Sequence, residues 1–445
     1  MKRLLVVLLA LGLLAAFGAT ASAADVKFSG QYYVVGVYEN NRELRDTDAT
    51  YSKAYFWTRT RIQTVFQIAE GLSFTTRFDA FEKQWGAVNR SSSNSEDKSN
   101  SGKVNSVNLT LQENIEMEYA FVTFKTRVGQ FDIGYQAADE WGTVFGDTPG
   151  SRPRAKYTGA FGPVNILAIY QKDYEADTVR LNATTGAGNS SGIVDGDVDK
   201  YMLAGIYNWK GGAAGLLYVY TNGASNRPTA NMRTQIHTLA PYMKGTFGPV
   251  YVEAELIWLS GKSRKYEAPA TAADQDKEGL GAYALARVNL GPAYVGAQFG
   301  YSSGDPNDTT KDKSGPVSTT SWVPALLFGN ANLKSWSYGT PENGSFSTNK
   351  QNLWLWNAFA GFNPTPKINI EGAISWMYAD KKPNNFVSKQ YGWEADIKAS
   401  YKIYDNLTYM VGAGYLWTGD YFKGTSDANK IGNDYLLLNQ LTLNF

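Results

Sequence analysis

Cysteine is absent and histidine occurs once in 445 residues, while 42 lysines and arginines meet 41 acids. Without cysteine there are no disulfides, no thiolate metal centre and no Cys-x-x-Cys-His haem attachment. A lone histidine, His237, rules out a His-based metal cluster, and any Ser-His-Asp triad would have to use it. The level charge balance argues against nucleic acid or an anionic surface as the main partner, since either calls for a clear basic excess. Beyond residue 17 no segment approaches the ~20 consecutive apolar residues of a spanning helix, so any membrane crossing has to be made by strands. Linkers that would divide the chain are missing as well, and one pattern runs from end to end.

What is present begins with a leader. Lys2 and Arg3, the apolar stretch Leu4 to Phe17 and the small residues Ala21-Ser22-Ala23 describe a secretory signal peptide over 1–23, leaving 24–445 as one domain. The chain is 14% aromatic and holds 44 glycines, yet only 43% of its residues are apolar. A conventional core of this size would draw on more Leu, Ile and Val. A barrel with lipid outside and water inside needs an apolar residue only at every second position.

That alternation is legible. Over 54–68 one face reads Phe56, Thr58, Thr60, Ile62, Thr64, Phe66, Ile68, and the other Tyr55, Trp57, Arg59, Arg61, Gln63, Val65, Gln67. Over 390–403 Tyr391, Trp393, Ala395, Ile397, Ala399 and Tyr401 oppose Gly392, Glu394, Asp396, Lys398, Ser400 and Lys402. Repeated along the chain, the pattern predicts about eighteen antiparallel strands, with sixteen as the alternative count. Connectors alternate between two or three residues and ten or more. The short ones repeat a turn solution, as in Phe161-Gly162-Pro163-Val164, Phe247-Gly248-Pro249-Val250 and Leu290-Gly291-Pro292-Ala293. The long ones, including Ser91 to Ser101, 186–192 and 303–350, are read as polar low-complexity material. The fold class that follows is all-β: a transmembrane antiparallel β-barrel with short periplasmic turns and long extracellular loops. Rings near the ends of the strands, among them Tyr38, Trp258, Trp376, Trp393 and Trp417, are expected to anchor it at the membrane boundaries.

With a leader, eighteen amphipathic strands and the final strand Tyr435 to Phe445 ending on an aromatic, the chain resembles the Gram-negative outer-membrane porins. The third long connector, 137–151, is similar by position and composition to the porin loop that folds into the lumen, and its Phe145-Gly146-Asp147 is also similar to alginate-export-like barrels. The resemblance implies passive diffusion of small hydrophilic solutes, no cofactor, the barrel-assembly machinery as partner, outer-membrane lipid and lipopolysaccharide as surroundings, and a homotrimer. The candidate constriction sets the loop acids Asp139, Glu140 and Asp147 against Arg59, Arg61, Arg77, Arg152, Arg154 and Lys156, all on polar strand faces.

Other readings carry less. Asp195-x-Asp197-x-Asp199 and Asp305-x-Asn307-Asp308 have the oxygen density of calcium loops without the glycine and distal glutamate of an EF-hand. Glu253 and Glu255 share one strand face, and parity places His237 in the lumen beside Arg233 and Gln235. Trp57, Phe81 and Tyr251 are candidates for an inward aromatic line. No enzyme is expected. The rivals to a porin are a sheath for a multihaem electron conduit, which needs a cleared lumen and a cytochrome partner, and an outer-membrane hydrolase, which needs His237.

Overall fold

Alternating residues with glycine turns between them can satisfy every backbone group only by pairing each strand with two neighbours, and that is how this chain folds. The structure, a computed structural model, describes residues 25–46, 52–85, 115–181, 188–268, 270–305, 310–316, 321–330, 337–340, 344–347 and 350–445. The leader, Ser91 to Ser101 and part of the segment 305–308 lie outside them.

Eighteen long strands form the barrel: β1 (Asp25–Glu39), β2 (Lys53–Ala69), β3 (Leu72–Gln84), β4 (Glu116–Thr126), β5 (Gly129–Ala138), β6 (Gly150–Phe161), β7 (Val164–Tyr174), β8 (Val198–Trp209), β9 (Gly212–Gly223), β10 (Met232–Phe247), β11 (Val250–Tyr266), β12 (Gln275–Leu290), β13 (Ala293–Ser302), β14 (Leu353–Thr365), β15 (Ile368–Tyr378), β16 (Gln390–Tyr404), β17 (Leu407–Thr418) and β18 (Asp434–Asn444). Each pairs antiparallel with the next, and β1 closes the ring on β18 from Gln31↔Asn444 to Glu39↔Leu436. Phe445 adds a backbone pair with Gly30 at 2.6 and 3.0 Å. Short turns at Gly71, Gly162, Gly211, Gly248 and Gly291 sit at φ between +60° and +94°, a conformation glycine adopts without strain.

Exposed large apolar side chains such as Phe56, Leu203, Trp258, Trp356, Ile397 and Leu437 fall on the outward parity. The inner face departs from a simple wet lining. Val35, Val37, Leu353, Leu355, Met377, Leu416, Leu436 and Leu438 point inward and are buried. Only connector residues inside the barrel could cover them, and the apolar core of the molecule is therefore in its lumen.

Two parity readings change. Tyr391 is not on the lipid face: Gly392 at φ +135° and a register shift between Met377 and Tyr378 turn the start of β16, burying Tyr391 against Phe328 and Tyr421. His237 is exposed on the outer face, its ring between Tyr218 and Tyr220: from Gln235 to Phe247 the pairing keeps one register, and with Ala240, Tyr242 and Lys244 inward the alternation puts His237 outside. Long connectors also carry hairpins the periodicity did not announce, Asp177–Leu181 with Gly188–Asp195 and Ser337–Thr340 with Gly344–Ser347.

Ile397, half-exposed on the outer face midway along β16, tests which face meets lipid. Ile397→Arg should cost about 2–4 kcal/mol in a bilayer, read by guanidinium unfolding in lipid vesicles, whereas Ile397→Leu should leave the midpoint unchanged.

Candidate functional site

Among the described residues, two connectors enter the lumen and meet. The first, 139–149, leaves β5 and crosses to the inner face of β10–β12. The Trp141 indole N–H donates to the Ala240 carbonyl at 2.8 Å, and its ring stands edge-on to Tyr242. The Lys244 ammonium donates to the Gly142 carbonyl at 2.7 Å. Thr143 donates to one Glu255 carboxylate oxygen from both its backbone N–H (2.9 Å) and its hydroxyl (2.6 Å). A side chain at Gly142 would stand 2.6 Å from Tyr242, so this close approach requires glycine.

The second, 321–330, rests on the wall from β13 to β18 and on β1. The Glu394 carboxylate accepts the backbone N–H of Leu327 at 2.6 Å and of Phe328 at 2.8 Å, and Asp396 accepts that of Leu326 at 3.3 Å. Asn357 donates to the Pro324 carbonyl, and the Trp322 indole donates to Gln298. Gly300 and Gly414 leave flat seats in the wall, where side chains would run into Trp322 and Leu327. The two connectors touch through Phe145, stacked on Tyr283 with centroids 5.5 Å apart and edge-on to Trp322 at 5.1 Å.

This second insertion escaped the reading of 303–350 as uniformly polar. Its signal was Trp322-Val323-Pro324-Ala325-Leu326-Leu327-Phe328, a chargeless apolar run inside a Ser/Asn/Gly-rich connector. The upstream stretch 310–316 also lies on the inner wall, with the Lys277 ammonium bonded to the Ser314 carbonyl and paired with Asp312.

Arg59, Arg61, Arg77, Arg152, Arg154 and Lys156 are on the inner face of β2, β3 and β6, each engaged locally. The Arg61 guanidinium binds Asp79 through two parallel bonds of 2.7 and 2.6 Å, with Arg59 at 3.8 Å from the same carboxylate and over the Tyr33 ring. Arg77 pairs with Glu118 at 3.2 Å, and Lys156 with Asp132 at 3.0 Å. Arg154 donates to Gln171 and to the Ala137 carbonyl. Arg152 lies between Asp139 (3.7 Å) and Asp173 (3.6 Å), which Lys200 also bridges.

The loop acids therefore do not face this wall as a row. Asp139 stays at the loop base with Arg152 and Lys200. Asp147 accepts the Trp141 backbone N–H at 2.7 Å and ties the loop to itself, while Glu140 is exposed. Cross-strand neighbours about 5 Å apart reach each other before any charge across the lumen can. Burial pushes the Asp147 carboxyl up to about 7, opposed by the Trp141 hydrogen bond and raised further by Glu140.

The remaining candidates are structural in these contacts. Glu253 accepts the hydroxyls of Tyr251 and Tyr283, and Glu255 holds Thr143. Trp57 is buried on the inner side. Phe81 is strained at φ +56° where the β2–β3 register slips. Lys172 binds both Asp197 and Asp199, and Asp195 pairs with Arg227. Among the described residues no group of three or more metal-ligating side chains converges.

A family model described as alginate export matches residues 189–432, more than half of the chain. No curated relative matches by sequence. Among solved structures the chain is similar to Pseudomonas aeruginosa OccK8 (OprE), at 13% identity and TM-score 0.53 over 95% of this chain and 98% of that one. A BenF-like porin from Pseudomonas fluorescens Pf-5 gives 9% identity and TM-score 0.52 over 95% and 99%. Pseudomonas aeruginosa OccK2 (OpdF), solved in complex with glucuronate, gives 10% identity and TM-score 0.54 over 95% and 98%.

Glu394→Ala leaves the Leu327 and Phe328 N–H groups without their acceptor, at about 1–3 kcal/mol each, and should unseat 321–330. Single-channel conductance in planar bilayers is then expected to rise, with protease cleavage appearing within that segment. As pH falls through about 7 Asp147 takes up its proton, because its folded-state pKa lies above that of the unfolded chain. Loop seating is therefore strengthened on the acid side and weakened above that value, and the lumen loses one negative charge on acidification. Reversal potentials should move toward anion preference between pH 8 and 6, and Asp147→Asn should flatten that slope.

Proposed function

Because this chain belongs to the alginate export family, we propose that it is an outer-membrane diffusion channel whose open path favours small anionic hydrophilic solutes. One observation carries the choice of charge: along the wall that the described connector residues leave uncovered, bases lie over buried acids. Arg59 and Arg61 side chains are 21% and 26% exposed above Asp79 at 3%, and Lys156 is 29% exposed above Asp132 at 4%. Arg152, at 42%, is more open than either carboxylate beside it. Arg77 is the exception, with Glu118 the more exposed partner. A passing solute meets guanidinium and ammonium groups first, while the buried carboxylates hold them in place, so the track attracts carboxylates without a net charge on the wall.

The glucuronate bound to OccK2 is a solute of this kind and supports the reading by analogy of fold. The outer aromatic clusters, such as Trp376 on Trp393 and Tyr415 on Trp417, fit a lipid boundary. An electron-conduit sheath fits poorly, since two connectors occupy the lumen it would need. A hydrolase loses its only histidine to the outer face. The family match favours a second reading, outward passage of an anionic polysaccharide, for which both inserted connectors would have to move aside.

Reversal potentials in a potassium chloride gradient test the proposal. The channel should prefer chloride, and Arg152→Gln, which leaves Asp139 and Asp173 paired with Lys200, should shift the potential toward potassium. Glucuronate should enter liposomes faster than glucose does. Cation preference in the unmodified protein, or no shift on substitution, would remove the argument.

A further inference from the structure

On the wall opposite the basic track, a cavity of about 580 Å³ opens beneath the second inserted connector, a volume typical of small-molecule sites. Pro324 and Leu326 roof it, and Leu285, Phe359 and Tyr294 line its sides. Arg287 enters from β12, three residues before that strand ends at Leu290 and so toward the short-turn mouth. Its guanidinium stands 5.5 Å from the centroid of the Tyr294 ring. Tyr294 is fixed in turn, donating to Glu371 at 2.8 Å and accepting from the Asn369 amide at 3.1 Å.

The other polar groups around the cavity are engaged. Lys398 pairs with Glu371 at 2.8 Å, and Asp396 accepts the Leu326 backbone N–H through one carboxylate oxygen, while its other oxygen is buried and closed to a solute. Gln298 and Asn357 bond one another, and between them hold Trp322, Pro324 and Ser375. Arg287 differs from them, and from the arginines of the opposite wall. It is exposed and makes no hydrogen bond or ion pair with any described residue. What the cavity leaves unanswered is an acceptor for a planar, forked donor set beside apolar and aromatic surface.

A carboxylate answers the fork with two parallel hydrogen bonds, and an apolar ring attached to it fills the space against Phe359 and the roof. We propose that this cavity is a binding site for ring-bearing monocarboxylates, anchored by Arg287. The proposal rests on the channel reading only for the route by which such a solute arrives. Arg287 is then the residue that makes the short-turn side of the lumen selective for anions with an apolar body, a distinction the basic track does not make.

The test adds benzoate to the short-turn side of the full-length channel in planar bilayers and records current block. Acetate serves as the anion without a ring and benzamide as the ring without a charge. Benzoate should block at the lowest concentration of the three. Arg287→Gln should weaken that block about tenfold or more, and Arg287→Lys should restore part of it. Equal block of Arg287→Gln and the unmodified channel, or equal potency of benzoate and acetate, would overturn the site while leaving the channel reading intact. A protein that conducts no potassium chloride would fail the channel reading instead. Calorimetry in detergent micelles then decides the site alone: benzoate bound by the unmodified protein and lost in Arg287→Gln supports it, and no binding overturns it.

Discussion

Hydrocarbon offers a backbone amide no partner, and closure of the ring through β1 and β18 is the constraint from which the rest follows. Once Gln31–Glu39 pairs with Leu436–Asn444, no strand edge remains, and each side chain is assigned to lipid or lumen by its position in the alternation. The outward set can then be uniformly apolar. The inward set is free to differ from strand to strand, and this protein uses that freedom to build two unlike half-walls.

One half-wall is ionic. From β2 to β8 it interleaves acids and bases on adjacent strands, so that pairs form across about 5 Å rather than across the bore. The other is apolar where Val35, Leu355, Met377, Leu416 and Leu436 point inward, and it is covered by Leu326, Leu327 and Phe328. On the first, charge is kept near water with its counter-charge beneath. On the second, connector backbone is brought into a buried setting, where its N–H groups need acceptors. Glu394 and Asp396 supply them for 321–330, as Glu255 does for Thr143. A buried carboxylate receiving several N–H donors meets both needs, satisfying the loop amides and offsetting its own desolvation.

Much of this was legible in the residues. Strict alternation in β2 fixed the inward set Arg59, Arg61 and Gln63, and glycine turns fixed where hairpins close. The connector at 139–149 announced itself by apolar and acidic content. Legibility failed where parity was carried across an irregularity: a register slip separates Arg233 from the unshifted run that faces His237 outward, and Gly392 turned Tyr391 inward. It failed again where composition was averaged over a long segment, hiding the apolar run from Trp322 to Phe328. The partners of Arg152 and Asp147 were not readable, because they depend on how far the loop travels before it lands. Neither was the isolation of Arg287, which is a property of what surrounds it.

The glycines at 281, 300, 412 and 414 lie under the inserted connectors, in a scaffold whose strands would pair equally well with larger residues there. Recessed footings of this kind separate two jobs that a barrel usually merges. The staves carry the mechanical load of standing in a bilayer, and the bore is set by detachable inlays resting on them. Redrawing an inlay would retune what passes without recasting the cylinder, so descendants of one scaffold could diversify their cargo by rewriting a dozen residues at a time.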